Sequence, residues 1–278
     1  MSVQQVTAVK TLVLDNPEDV RDAAAALAAG QAVAHGFGNF YALTFRPDRE
    51  SVERVNRMKG RPAGQTGSLT TVPECIPAAF DWTRLPEGVP WQQVRSLTDE
   101  LHGLGPIGLR GPAAGRVPAA LVADDGGAAT VQVIVPGTRC PSGVFLGAAL
   151  GATGGDFLAV TSVNRSRHLT GRDHEPPHWR AAGLAAEFGA EPGVRILAHG
   201  DEETARRRHP FHRPTSVSIL SFHRTAGHTR SGLPALVLER QGSLSADHIR
   251  AVAANHGFGL VLAPAAVAPL TPRAYALA

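Results

Sequence analysis

The sequence predicts an α/β fold built on a mixed sheet. Apolar runs of strand length, clearest in Thr130-Val131-Gln132-Val133-Ile134-Val135, alternate along the chain with amphipathic segments that carry helix caps. The alternation is loose rather than a strict βα repeat, which predicts mixed strand directions instead of a doubly wound sheet. The 278 residues suit one large domain or two small ones, and no internal repeat or convincing linker divides them.

The elements follow in order. Residues 1–10 read as a mobile start, an expectation that lies outside the residues described below. Asn16 caps a helix with Pro17 at its first position and Glu18 and Asp19 in its first turn, where acids suit the helix dipole. Val20, Ala24, Leu27 and Ala28 share one face of it, and Gly30 stops it. Residues 31–34 read as a strand feeding a His35-Gly36-Phe37-Gly38 turn, and residues 40–45 as a second strand. Asp48 caps a helix through Val52, Val55 and Met58 that ends in Lys59-Gly60-Arg61-Pro62. A strand at 68–72, a proline-broken loop at 79–93, a helix at 91–101 and a strand near 104–109 come next. Beyond the 130–136 strand lie a helix at 140–152, a strand at 157–162, a polar loop at 163–177, a helix at 179–188 and a strand at 194–198. Residues 199–213 are highly charged; strands at 216–222 and 233–238 and a Ser245-capped helix precede an apolar, proline-rich end.

Composition narrows the class. Hydrophobic residues at 43 % and charged residues at 18 % belong to a globular chain, not a disordered one. The net charge of +3 allows an acidic or nucleic-acid partner without demanding one. Two cysteines are too few for a disulfide framework and fit a reducing cytosol. With no leader pattern and no apolar run of about 18 residues, the reading is a cytoplasmic protein with no membrane association.

Several stretches bear chemistry. Lys59-Gly60-Arg61-Pro62 makes a compact cationic corner suited to a polyanion, although cations at a helix end also arise simply to complement the dipole. Ser162-Val163-Asn164-Arg165-Ser166 places hydroxyls and an amide at a strand end, where open α/β sheets bind ligands; alternatively it is a polar turn satisfied by its own side chains. Gly36 and Gly38 permit close backbone approach or positive φ. His35 either meets an anion or packs, and Asn39 carries both a hydrogen-bond donor and an acceptor. Asp173-His174-Glu175-Pro176-Pro177-His178 has metal-binding residue types, but its prolines break the helical spacing of zinc sites, so a solvated loop and no metal are expected. The basic run 206–213 reads as a solvated surface, a closure over nucleotide or an RNA contact. No Gly-x-Ser-x-Gly elbow, Walker lysine loop or zinc-spaced cysteine pair occurs.

Three blocks then line up: residues 31–62 ending in Lys59-Gly60-Arg61-Pro62; Val160-Thr161-Ser162-Val163-Asn164-Arg165-Ser166; and Pro214-Thr215-Ser216-Val217 followed by Val237-Leu238-Glu239-Arg240-Gln241-Gly242. In order and spacing they resemble the YrdC family, over a single domain at 12–255 with a C-terminal extension at 256–278. That family includes threonylcarbamoyl-adenylate synthases and the HypF/TobZ-type carbamoyl-adenylating domains. The resemblance implies an open twisted α/β sheet with a large concave cavity, and an ATP- and Mg²⁺-dependent nucleotidyltransferase that forms a carbamoyl-type adenylate. It implies Lys59 and Arg61 as catalytic residues on the triphosphate, with Ser162, Asn164, Ser166, Ser216 and Arg240 binding nucleotide. The second substrate, carbamoyl phosphate or bicarbonate plus an amine, falls to His35, Gly36, Gly38, Asn39 and Tyr41, and a separate transferase protein would take the product onward.

The chain departs from both branches. The synthase turn Pro-Thr-Asp-Thr-Val-Tyr-Gly-Leu reads Gly36-Phe37-Gly38-Asn39-Phe40-Tyr41-Ala42-Leu43 here, closer to the HypF-like pattern. The synthase Arg-x-Pro reads Ile134-Val135-Pro136. The alternatives left by those departures are a diverged threonylcarbamoyl-adenylate synthase for tRNA modification and a family member that binds nucleotide or RNA without catalysis.

Overall fold

The strands of the chain join into one open, twisted, mixed sheet. A computed structural model describes residues 11–171 and 175–275. Its strands are β1 (Leu12–Val13), β2 (Ala32–Phe37), β3 (Phe40–Phe45), β4 (Ser68–Thr70), β5 (Ile107–Pro112), β6 (Val122–Asp125), β7 (Ala128–Val135), β8 (Leu158–Ser162), β9 (Val194–Ala198), β10 (Ile219–His228), β11 (Pro234–Arg240) and β12 (Gly259–Leu262). They lie in the order β1-β9-β2-β3-β8-β4-β7-β5-β10-β11-β12, with β6 paired to β7. Parallel pairs such as β2/β9, β5/β10 and β11/β12 mix with antiparallel ones such as β2/β3, β3/β8 and β5/β7.

Helices cover both faces unequally. On one face α1 (Pro17–Ala28) and α4 (Ser142–Thr153) pack Val20, Leu27, Phe145 and Leu146 onto Val33, Leu158 and Leu197. On the other, α2 (Arg49–Lys59), α3 (Trp91–Leu104), α6 (Ala181–Phe188) and α8 (Ala246–Asn255) contribute Val55, Leu97, Leu101, Phe188 and Ile249 to the larger core. The first face continues past α4 as a smaller apolar cluster of Phe37, Phe40, Ala42, Ile134, Val160, Val217 and Ile219. That stretch becomes the floor of a cavity.

Local chemistry sets the elements that frame it. Asp48 accepts the Ser51 amide proton at 2.9 Å and starts α2; Gly60, at φ 71°, ends it in the left-handed region that favours glycine. Lys59 is therefore the last helical residue and Arg61 the first after the turn. β2 runs through His35, Gly36 and Phe37, further than the sequence predicts. Phe37 pairs with Phe40, leaving Gly38 and Asn39 as a two-residue hairpin turn in which Gly38 supplies the positive φ of 64°. The charged 199–213 stretch contains α7 (Glu202–Arg208), capped by Asp201, and the polar 163–177 stretch contains the short α5 (Arg167–Thr170), capped by Ser166. No helix among the described residues is long and apolar enough to cross a membrane.

Candidate functional site

Beside the apolar floor the sheet opens into a concavity with two joined parts. The inner part, about 240 Å³, is lined by Phe40, Ala42, Ile134, Val160 and Val217 below and by Arg61, Arg110 and Arg240 above. The outer part, about 420 Å³, adds Asn164, Ser166, Arg167, His168 and Glu175. Arg61, Gln65, Ser162, Ser216 and Arg240 line both. The inner part alone is smaller than the ~300 Å³ at which ligand pockets usually begin, so a nucleotide would have to occupy both parts.

The cations are placed by the two helix-end residues and two strands. Lys59 is completely buried; its Nζ donates to Thr161 Oγ1 at 3.2 Å and to the Ser162 carbonyl oxygen. Burial holds its ammonium well below the ordinary lysine range, and neighbouring Arg61 adds to that. Lys59 thus stands one layer behind the cavity wall, with Thr161 between. Arg61 Nη1 donates to the same Thr161 oxygen at 2.9 Å and its guanidinium lies in the wall; desolvation lowers its pKa. Arg240 Nε donates to the Val217 carbonyl at 2.9 Å. Desolvation, then the charges of Arg61 and Arg110, bring Arg240 down to about 10. Three guanidiniums sharing a partly desolvated wall are complementary to a polyanion.

The hydroxyl and amide groups sit at the end of β8. Ser162 Oγ donates to Asn164 Oδ1, and Asn164 Nδ2 donates to the Arg165 carbonyl at 2.6 Å. Ser166 caps α5 through its hydroxyl and gives its amide proton to the Lys59 carbonyl at 2.8 Å, which ties the α2 end to this turn. Ser216 lines both parts of the cavity. The residues assigned to nucleotide in the sequence therefore gather in one place, Lys59 from behind.

The β2–β3 turn lies apart from them. His35 is fully buried, with Nε2 2.7 Å from Thr44 Oγ1 and its ring 4.7 Å from that of Phe145; burial pushes it down to about 3, so the imidazole is neutral. Gly36 packs against His199, and Gly38 gives its amide proton to Cys140 Sγ at 3.1 Å. Asn39 Nδ2 donates to the His212 carbonyl at 2.8 Å, while its buried Oδ1 has no partner among the described residues. Tyr41 donates to Glu202 Oε1 at 2.8 Å. None of these five lines the concavity; Phe40 and Ala42 do.

Other sequence features separate. Asp173 and His174 lie outside the described residues. Glu175 lines the outer cavity, and His178 bridges Glu187 Oε2 and the Tyr275 hydroxyl at 2.8 and 2.9 Å. In the basic run, Arg206 stacks over Trp179 at 4.7 Å and pairs with Glu203, and Arg207 reaches Thr204. Asp125, His223 and Glu239 gather possible metal-ligand atoms within 4.8 Å. Arg224 bridges Asp125 and Glu239, and Arg110 lies 3.1 Å from Glu239, so guanidiniums already supply the positive charge an ion would bring. Arg110, Thr161, Gln132 and Ser68 are site residues the sequence reading missed. The available signal was a lone arginine alternating with buried Ile107 and Leu109 along β5, on the cavity side of the pleat.

No family model and no curated protein matches the sequence. Solved structures do. Pyrococcus abyssi Sua5 complexed with L-threonine (TM-score 0.60, 20 % identity) matches over 93 % of this chain and 65 % of its own. A hypothetical protein from Streptococcus mutans UA159 (TM-score 0.61, 12 % identity) matches over 94 % of this chain and 100 % of its own. Escherichia coli YciO (TM-score 0.52, 15 % identity) matches over 74 % and 84 %. This chain spans just under two thirds of the length of Sua5.

Proposed function

We propose, from the YrdC-like fold that these structures share with the chain, that the concavity binds ATP and transfers its adenylyl group to a carbamoyl-type acceptor, releasing pyrophosphate. The observation that carries this reading is the meeting of three distant segments, Lys59–Arg61, Thr161–Ser166 and Ser216 with Arg240, around one cationic cavity; Arg61 and Thr161 touch across 100 residues of sequence.

In the proposed reaction a carbamate oxygen attacks the α-phosphorus of ATP; the carbamate forms first, from carbamoyl phosphate and water with release of inorganic phosphate, or from bicarbonate and an amine with release of water. The new phosphorus–oxygen bond forms as the bond to the β-phosphate bridging oxygen breaks, and pyrophosphate leaves with that electron pair. Negative charge grows on the pyrophosphate, and Arg61 and Arg240, fixed in a partly desolvated wall, stabilise it without reorganising. Ser216 offers a hydroxyl donor to phosphate oxygens, and Ser162 would do so only by giving up its bond to Asn164 Oδ1. Phe40, Ala42, Val160 and Val217 give an apolar seat that excludes water from the mixed anhydride. Among the described residues of the inner wall there is no carboxylate, so Mg²⁺ would arrive on the triphosphate's own oxygens and supply charge neutralisation there.

For the second substrate, carbamoyl phosphate or bicarbonate with an amine other than threonine fits better than threonine. Phe37 and Asn39 stand where the synthase pattern carries threonine hydroxyls, and Phe37 is fully buried against Phe40. The reactive product would pass to a separate transferase. The test is pyrophosphate release and adenylate detection by mass spectrometry with each donor in turn. Carbamoyl phosphate or a non-threonine amine should give the faster reaction. Threonylcarbamoyl-adenylate forming at least as fast would make the chain a diverged threonylcarbamoyl-adenylate synthase. ATP binding without any adenylate would leave a nucleotide-binding protein, and no ATP binding at millimolar concentration would overturn the reading.

A further inference from the structure

Arg110 differs from the other two wall arginines. Arg61 and Arg240 line both parts of the cavity, where a triphosphate spanning them would lie; Arg110 lines only the inner part. It stands on β5 opposite Gln132 of β7, with Gly108 opposite Ile134, so Arg110 and Ile134 share a face one pleat step apart. The synthase pattern carries an arginine at the Ile134 position. Here the wall there is apolar, and a guanidinium reaches the same space from the neighbouring strand.

The side chain is held for binding. Arg110 Nε faces Glu239 Oε2 at 3.1 Å, and Nη2 donates to Gln132 Oε1 at 2.9 Å. The Gln132 amide is itself oriented by donating to Ser68 Oγ at 2.8 Å. Gln132 and Ser68 also line the cavity. Nη1 has no partner among the described residues, which leaves one edge of a fixed fork for a ligand. Glu239 is shared rather than held by Arg110 alone, because Arg224 Nη2 lies 3.1 Å from it, and Arg224 Nη1 also faces Asp125 at 3.3 Å. Arg110 is the member of that ion-pair network that lines the cavity.

We infer that Arg110, oriented by Gln132 and Glu239, forms a second anion subsite at the inner end of the cavity, which takes the oxyanion of the donor substrate. The chemistry it recognises is a small planar or tetrahedral oxyanion, supplied by a carbamate or carboxylate on one hand or by the phosphate of carbamoyl phosphate on the other. The inference rests on the adenylation reading for the donor's role, but the subsite is measurable without it.

The experiment is calorimetric titration of the full chain with carbamoyl phosphate, inorganic phosphate and bicarbonate, each with and without saturating α,β-methylene-ATP. Arg110→Gln is the principal variant; Glu239 keeps Arg224 as a partner in it, so no buried charge is orphaned. Oxyanion affinity should fall at least about tenfold, the loss of a charge-assisted contact, while affinity for the ATP analogue stays within about twofold. Arg110→Lys, which keeps the charge but loses the fork, should fall between. Ile134→Arg added to Arg110→Gln should restore much of the loss, a rescue that a merely structural role for Arg110 would not show. Phosphate alone binding tightly points to carbamoyl phosphate as the source; bicarbonate binding only with nucleotide points to a carbamate. Unchanged oxyanion affinity in Arg110→Gln, an equal loss of nucleotide affinity, or no oxyanion binding by the wild-type chain overturns the subsite. Failure to bind the ATP analogue, with Arg110-dependent phosphate binding intact, overturns the adenylation reading instead.

Discussion

Replacing Lys59 by methionine should stabilise the protein and weaken its hold on ATP at the same time. The side chain is completely buried, and its ammonium meets the Thr161 hydroxyl and the Ser162 carbonyl but forms no ion pair among the described residues. Burial lowers its pKa well below the lysine range, so the unfolded chain binds the proton more tightly than the folded one. Stability from this group is therefore lost as pH falls below the unfolded lysine value and recovers as pH rises toward it. Desolvating one ion costs several kcal/mol, and methionine of similar length avoids that cost. It also removes two hydrogen bonds and leaves the Ser162 carbonyl without this donor, a loss of about 1–3 kcal/mol. The balance is a gain of about 1 kcal/mol, or roughly 2–4 °C in melting temperature for a chain of this size. A triphosphate in the cavity reverses the electrostatics, since its charge raises the lysine pKa. ATP binding to the wild-type chain should thus take up protons at pH values below the ordinary lysine range, measured by calorimetry in buffers of differing ionisation enthalpy. In Lys59→Met that uptake should vanish and ATP affinity should drop by about 2 kcal/mol, roughly thirtyfold, with AMP affected less. A variant that melts lower than wild type while binding ATP with the same proton uptake would refute the argument.

Other expectations follow from the same geometry. Arg61→Ala should cost about 1–3 kcal/mol of ATP affinity and much less of AMP affinity if, as proposed, its contacts lie beyond the α-phosphate; equal losses would move Arg61 off the triphosphate. Burial first of all depresses the histidine pKa values, to about 3 for His35 and His212 and about 4 for His102, His199 and His209, against an ordinary 6.5. The unfolded chain protonates first, so stability should be full above about pH 6.5 and fall steadily toward pH 4. Urea midpoints that stay flat across that window would contradict the neutral buried state of these rings. Gly38→Ala should destabilise by at least about 1–2 kcal/mol, the cost of a left-handed alanine. Its Cβ would also sit 2.6 Å from Pro106 Cγ, and a melting temperature equal to wild type would show that the hairpin turn relaxes freely.

The helix caps were legible before any coordinates because they are local. Asn16, Asp48, Ser245 and Gly60 act within one turn of themselves, and each stands where the sequence places it. The Lys59-Gly60-Arg61 corner was legible for the same reason. The β2–β3 turn was harder: Gly36 and Gly38 look alike in sequence, yet Gly36 is inside a strand packed on His199, and Gly38 alone takes positive φ. Which glycine turns the chain depends on the Phe37–Phe40 pairing. Likewise, whether residues 199–213 and 163–177 carry helix depended on Asp201 and Ser166 finding the backbone amides that follow them, a weak signal amid charge and proline.

The sequence by itself determined the α/β class, most element positions and the set of polar blocks, since periodicity, capping and spacing are properties of neighbouring residues. The tertiary structure decided which of those blocks face one another. Arg61 meets Thr161, Ser216 and Arg240 reach the same wall, and Arg110 joins them because strand order sets β5 beside β7 and β10. It also turned His35 and Tyr41 toward protein partners and away from the cavity, because hydrogen bonds to Thr44 and Glu202 satisfy them there. Side-chain direction on a strand alternates residue by residue, so a site made across strands is fixed only when the register of each pair is fixed, and long-range pairing alone fixes it.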